Sequence, residues 1–169
     1  MKTIQLFYSL LLFCVLLISA CGNSKKAMNS ESDESQKDQE ETIEIVFTYK
    51  QTMCFGKCPV YNFTVYDNGH IAYEGKDFSR MQGEWTKTIS QERLNELKDF
   101  FLELKFFDFE DVYTDNVMDL PTIFIGFNHE GKSKRIEAYF DVPEDVRRMG
   151  RELRLLVDEE EGWNKVQND

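Results

Sequence analysis

The sequence predicts an α+β domain, an antiparallel sheet with two helices packed on one face, in the chain order β-β-β-β-α-β-β-α. Three observations carry that prediction. From Thr42 onward, apolar and polar residues alternate with a period of two. The stretch "DNG" at 67–69 sits between two such runs as a hairpin turn. Two later segments place their apolar residues along one side of a helical period. Runs of strands interrupted by helices belong to α+β architectures, and 14% aromatic residues are ample for the core of one domain.

The first strand is read from Ile43, Ile45, Phe47 and Tyr49, which alternate with polar neighbours apart from Val46. After a cysteine-bearing loop, Tyr61, Phe63 and Val65 alternate with Asn62, Thr64 and Tyr66. Asn68-Gly69 can supply the two positive φ angles of a type I′ turn, and Ile71 and Tyr73 continue on the return strand. "MQGEWTKTI" at 81–89 reads as a fourth strand with a bulge at Gly83.

Ser90 is the expected N-cap of the first helix. Gln91 and Glu92 suit its first turn, and Leu94, Leu97, Phe101 and Leu104 share one face. "FFDFEDVYTDNVMDLP" at 106–121 is irregular and is closed by Pro121. Ile123, Ile125 and Phe127 then alternate up to a turn at "HEGK", and Ile136, Ala138 and Phe140 come back. The last helix starts with Pro143 near its first position and buries Val146, Met149, Leu153, Leu156 and Val157. Gly150 inside it costs about 1 kcal/mol relative to alanine, which points to close packing there.

Residues 1–20 carry one charge, Lys2, then the apolar run "LLLFCVLLISA" and small residues before Cys21. That is the layout of a secretory signal peptide. The run is shorter than the ~20 residues that span a bilayer, which argues against a retained transmembrane helix. Ile18 is too bulky for an ordinary signal-peptidase site. "ISA" before Cys21 instead resembles the lipobox of bacterial lipoproteins, which implies cleavage before Cys21 and diacylglycerol on its sulfur. More than one acyl chain on one cysteine gives stable attachment to a membrane. The mature chain then divides into the lipidated Cys21 with a polar, disordered tether over 21–41 and one globular domain over 42–169. The formal net charge of −11 excludes a nucleic-acid partner, which needs a basic surface.

Cys14 leaves with the signal and Cys21 takes lipid, so Cys54 and Cys58 remain in an oxidising envelope. In "CFGKCPVY" they could form a metal claw, a redox couple or a staple. Zinc needs two further ligands, and the chain has 2 histidines. An unbroken strand would hold His70 roughly 30 Å from Cys58 at ~3.3 Å per residue, and His129 sits near another hairpin tip. A redox pair draws its low pKa from a helix N-terminus or from cations. Here Pro59 leads into a strand, Lys57 is the one helpful charge, and the spacing is wider than C-x-x-C. A disulfide staple asks least of the sequence. Its small ring is worth about 2 kcal/mol, with Gly56 allowing the tight turn and Pro59 fixing the exit.

Asp108, Glu110, Asp111, Asp115 and Asp119 could ligate calcium but lack EF-hand spacing, so a solvated acidic loop is expected. Arg147, Arg151 and Arg154 line one side of the last helix, with Arg148 nearby. Glu144 and Asp158 stand at helical spacing to them, which predicts a self-neutralised solvent face. There is no nucleophile elbow, phosphate loop or zinc-protease helix, and no cofactor is implied.

"CFGKCPVY", the "DNG" hairpin with "YEG" after it, "DLPT" at 119–122 and "GKSKRIE" at 131–137 occur in that order. Together they resemble a domain family of unknown function, marked by C-F-G-x-C-P-x-Y and common in predicted bacterial envelope lipoproteins, over roughly 42 to 163. The resemblance implies this fold and compartment and no reaction. Two classes of function remain. The first is a non-catalytic envelope binding or structural module, held to the membrane by its lipid and meeting an envelope protein or polymer. The second is an enzyme, either a thiol oxidoreductase using Cys54 and Cys58 or a metal-dependent one using the acidic loop.

Overall fold

The computed structural model describes residues 42–115, 119–158 and 161–167. The expected signal peptide (1–20) and the lipidated Cys21 with its tether (21–41) lie outside them. Eight strands form one sheet: β1 (Ile45–Gln51), β2 (Tyr61–Tyr66), β3 (His70–Gly75), β4 (Gly83–Thr88), β5 (Val112–Tyr113), β6 (Ile123–His129), β7 (Lys132–Ala138) and β8 (Asn164–Lys165). Their spatial order is β5-β7-β6-β1-β2-β3-β4-β8. Every neighbouring pair is antiparallel except β5 with β7. Helices α1 (Gln91–Glu103) and α2 (Glu144–Asp158) cover one face, so the fold is α+β. No helix among the described residues is long and apolar enough to cross a membrane.

The predicted order of six strands is corrected by β5 and β8. Each holds two residues at a sheet edge, too few to show any period in the sequence. The irregular stretch after α1 also gives more to the core than expected. A 3-10 turn at Phe106–Asp108 inserts Phe106, fully buried, between Phe101 and Phe127 at ring distances of 5.3 and 5.8 Å.

The covered face takes alternate residues of each strand, as a pleated sheet requires. Phe47, Tyr49, Phe63, Val65, Ile71, Ile125, Phe127 and Ile136 are all essentially inaccessible. Phe47 stacks on Phe127 and tilts against Phe101, both at 4.8 Å, which locks α1 to the sheet centre. Ser90 caps α1 as expected, its hydroxyl accepting from Arg93 N–H at 3.2 Å. Gly150 brings α2 close to β6, where an added Cβ would lie 3.2 Å from Ile125 Cδ1.

Three local expectations are corrected. In β1 the register shifts between Ile45 and Phe47, so Val46 and Phe47 are both buried while Ile43 and Ile45 turn outward. A bulge sets two residues against one and reverses the alternation. The predicted bulge at Gly83 is absent, because Gly83 pairs with Gly75 in unbroken register. The turn types also exchange places. Between β2 and β3 only Gly69 takes a positive φ (80°), and its N–H donates to Tyr66 C=O at 3.0 Å, the pattern of a three-residue hairpin loop. The type I′ signature belongs instead to Glu130 and Gly131, at φ 48° and 75° between β6 and β7.

Candidate functional site

The end of the sheet where β1 stops and β2 starts gathers most of the residues singled out in the sequence. Cys54 and Cys58 lie in the connection between these strands, joined through their sulfurs with Cα atoms 5.7 Å apart. Gln51, the last residue of β1, is buried and holds this loop from below. Its amide donates to Pro59 C=O at 3.0 Å, and its carbonyl oxygen accepts from the Tyr49 hydroxyl at 3.2 Å. Pro59 has no N–H to offer the ladder, and Val60 resumes pairing by donating to Asp77 C=O and accepting from Lys76 N–H.

The role expected for Gly56 is corrected. It does not adopt a positive φ, and an added Cβ would make only an ordinary 3.8 Å contact with Cys54 Sγ. The ring closes without a left-handed residue at Gly56, so that freedom of glycine is not what the turn uses.

"DLPT" joins the same end. Thr52 N–H donates to Thr122 C=O at 3.0 Å, and Thr122 N–H donates back to the Thr52 hydroxyl at 2.9 Å. The "YEG" stretch arrives there too, since Gly75 pairs with Tyr61 across β2 and β3. Large apolar side chains crown this end in solvent. Met53 is 71% exposed, Phe55 87% and Leu120 43%.

Under the loop, Tyr49, Tyr61 and Tyr73 form a ladder across β1, β2 and β3, with ring centroids 5.6 Å apart at each step, and Trp163 packs edge-on at 5.6 Å. Burial pushes the Tyr61 phenol up to about 12, partly opposed by its contact with Tyr49 and by the charge of Arg154. Burial raises Tyr49 further still.

Beside the loop, α2 and the β6–β7 edge enclose a cleft of about 280 Å³ whose lining includes Pro121, Ile123, Ile125, Val142 and Val146. Arg147, Arg151 and Arg154 also line it. The self-neutralised face predicted for these arginines is corrected at one position. Glu144 takes both Arg147 (2.7 Å) and Arg151 (2.9 Å), and Asp145 takes Arg148 (2.9 Å). Arg154 makes no ion pair with Asp158, and its Nε is buried without a hydrogen-bond acceptor. A pairing by helical spacing needs both side chains to turn the same way, whereas Arg154 is half-buried with its Nε closed off.

The remaining candidates stay apart. Asp111 pairs with Lys134 at 3.0 Å, and no three His, Cys, Asp or Glu converge among the described residues. His70 opens β3 at the far end of the hairpin from Cys58, its ring 5.9 Å from that of Tyr66. His129 stacks on Phe127 at 5.7 Å. Residues that sequence reading missed are Gln51 and the exposed Met53 and Phe55. Gln51 falls on the inward phase of β1, and a polar residue there was the available signal.

The geometry yields a stability expectation. Replacing Cys54 and Cys58 together by alanine should cost about 2 kcal/mol, because the ring is short. The fold should survive, since Gln51 and the Thr52–Thr122 pair hold the loop independently. Urea unfolding checks this, and a loss of cooperative folding would show that the ring does more than pin the loop.

Comparison with curated proteins and with solved structures finds no match. A family model does match, over residues 45–157. That span holds β1 through α2, including the pinned loop, the "DLPT" contact and the cleft, and the chain therefore belongs to the family described as Domain of unknown function (DUF6438).

Proposed function

We propose that this chain is a lipid-anchored protein of the bacterial cell envelope and that its domain is a non-catalytic binding module. The observation that carries the reading is the pinned loop, which holds Met53 and Phe55 out in solvent beside Leu120. A bridge and a buried glutamine fix the loop before any partner arrives, so little ordering entropy opposes binding. Exposed aromatic side chains on a rigid support serve as anchors in interfaces. The signal-like residues 1–20 and "ISA" before Cys21 support the anchor, and the polar tether over 22–41 would let this end reach an envelope protein or polymer.

Two measurements in living cells test the two halves. Cys21→Ser should abolish acyl labelling and release the protein from the membrane fraction; retention equal to the parent would remove the lipid anchor from the reading. A photo-crosslinking amino acid at position 55 should give a discrete adduct, and the same group at position 68, at the far end of the β2–β3 hairpin, should not. Equal labelling at both positions, or at neither, would count against the binding end. A Cys54 or Cys58 thiol that alkylates well below the ordinary pKa of about 8.5, with turnover of a test disulfide, would favour an oxidoreductase instead.

A further inference from the structure

The cleft beside α2 has the build of a small-molecule site, and it uses different residues from the exposed loop. Its floor is apolar, drawn from Ile123 and Ile125 of β6, Val142 just before α2 and Val146 in its first turn. Its volume, about 280 Å³, falls just below the range for drug-sized ligands, ~300–1,000 Å³. It suits a short chain rather than a large ring system.

The charge beside that floor is unbalanced. Arg147, Arg151 and Arg154 stand on successive turns of α2, and the single carboxylate among them, Glu144, is shared by Arg147 and Arg151. Arg154 has no carboxylate at ion-pair distance among the described residues, and its Nε is closed off from water with no acceptor. A buried donor left unsatisfied is costly, more so on a charged group. The cost is not relieved by losing the proton, since guanidinium stays charged at any ordinary pH. The Nε itself is out of reach of a ligand, but the outer nitrogens of the same guanidinium are not closed off and Arg154 lines the cleft. A ligand with its own anion would therefore balance that charge while the apolar floor holds whatever is attached to the anion.

We infer that the cleft binds an alkyl carboxylate, a short unbranched acyl chain lying along Ile123, Ile125 and Val146 with its carboxylate against the Arg154 guanidinium. The two parts of the ligand answer to two different parts of the cleft. A carboxylate matches the planar guanidinium fork better than a lone charge would. The chain gains from area removed from water, which accumulates with each methylene.

The test uses purified full-length protein in a non-ionic detergent, titrated with hexanoate, acetate, 1-hexanol and hexylammonium by calorimetry and by the shift of the thermal unfolding midpoint. Hexanoate should bind saturably and at least about tenfold more tightly than acetate, which lacks the chain. Hexanol and hexylammonium should fail to saturate. Arg154→Gln should weaken hexanoate by about tenfold or more. Arg148→Gln, on a residue paired with Asp145 and placed over Phe100, should leave it unchanged. Equal binding of hexanol, equal binding of acetate, absence of saturation, or an Arg154→Gln protein that binds as the parent does would each overturn the inference. If Arg154→Gln does not fold, the ligand series on the parent protein decides by itself. Cross-linking at position 55 reads the loop and not the cleft, so either result can fail without the other.

Discussion

Replacing Gly75 by alanine should cost the fold about 3 kcal/mol or more, the upper end for forcing extra atoms into a packed site. A Cβ built at Gly75 would lie 1.7 Å from Met81 C=O, 2.6 Å from Ser79 Oγ and 2.8 Å from the Tyr73 hydroxyl. The nearest of these is backbone, which cannot swing aside as a long side chain would. Residues 76–82 fold back over the end of β3, and that fold is tied by hydroxyls. Ser79 donates to Lys76 C=O at 2.6 Å or Met81 C=O at 3.0 Å, and the Tyr73 hydroxyl reaches Met81 C=O at 3.3 Å. Making room for a methyl means lifting this loop and leaving half-buried polar groups short of partners. Gly131→Ala is the natural control. It has open space around it but a φ of 75°, so only the left-handed strain of roughly 1 kcal/mol applies. Urea unfolding of both variants checks the ranking. A Gly75→Ala protein within about 0.5 kcal/mol of the parent, the usual scatter of harmless surface changes, would mean that the loop yields easily.

The position of Gly75 also bears on what the sequence made legible. "YEG" could be read as the end of a strand, because Ile71 and Tyr73 set the phase. Nothing local told that a later carbonyl would rest on the glycine, since that contact depends on how residues 76–82 return. The same division runs through the fold. The alternations at Tyr61–Val65 and Ile123–Phe127 and the helical stripes through Leu94 and Val146 are burial patterns, and burial against one sheet face is what they encode. Element ends obey closer geometry. Asn68-Gly69 carried the stronger type I′ signal, yet the chain uses three residues there and places the two-residue turn at Glu130-Gly131. Loop length is fixed by strand register, and one bulge in β1 is enough to change which residue meets which.

The candidate site was legible in its parts and not in its assembly. The cysteine pair, "DLPT" and the arginine row each stood out, but they lie far apart in the chain. Only the antiparallel run of β6 beside β1 brings Thr122 to Thr52 and carries the cleft to the loop. The arginine row shows why composition misleads at such a site. Helical spacing matched each cation with an acid, while in three dimensions one acid serves two cations and the third arginine turns inward. Met53 and Phe55 were hidden for the opposite reason. In sequence nothing marks them as exposed, and only the path of the chain around the cysteine bridge leaves both side chains in solvent.

The tyrosine ladder beneath this site should make the domain fail in alkali, in a window set by Tyr61. Its phenol titrates near 10 in the unfolded chain and at about 12 in the folded protein, chiefly because burial penalises the anion. The folded state therefore holds that proton more tightly than the unfolded state. The resulting stability is fully present below pH 10 and is lost as the pH climbs from 10 through 12. For one group the loss amounts to about 2–3 kcal/mol. Tyr49 is shifted in the same direction and further, and burial also raises Tyr73, so the decline should not level off at Tyr61 alone. The guanidinium of Arg154 works against the shift in both Tyr49 and Tyr61. Arg154→Gln should accordingly move the phenolate absorbance midpoint upward rather than downward. Tyr61→Phe keeps the ring in the ladder and removes the titrating group. Its urea stability, compared with the parent at about pH 9 and about pH 12, should fall by some 2–3 kcal/mol less over that interval. Parallel losses in the two proteins would show that Tyr61 titrates as an ordinary exposed phenol.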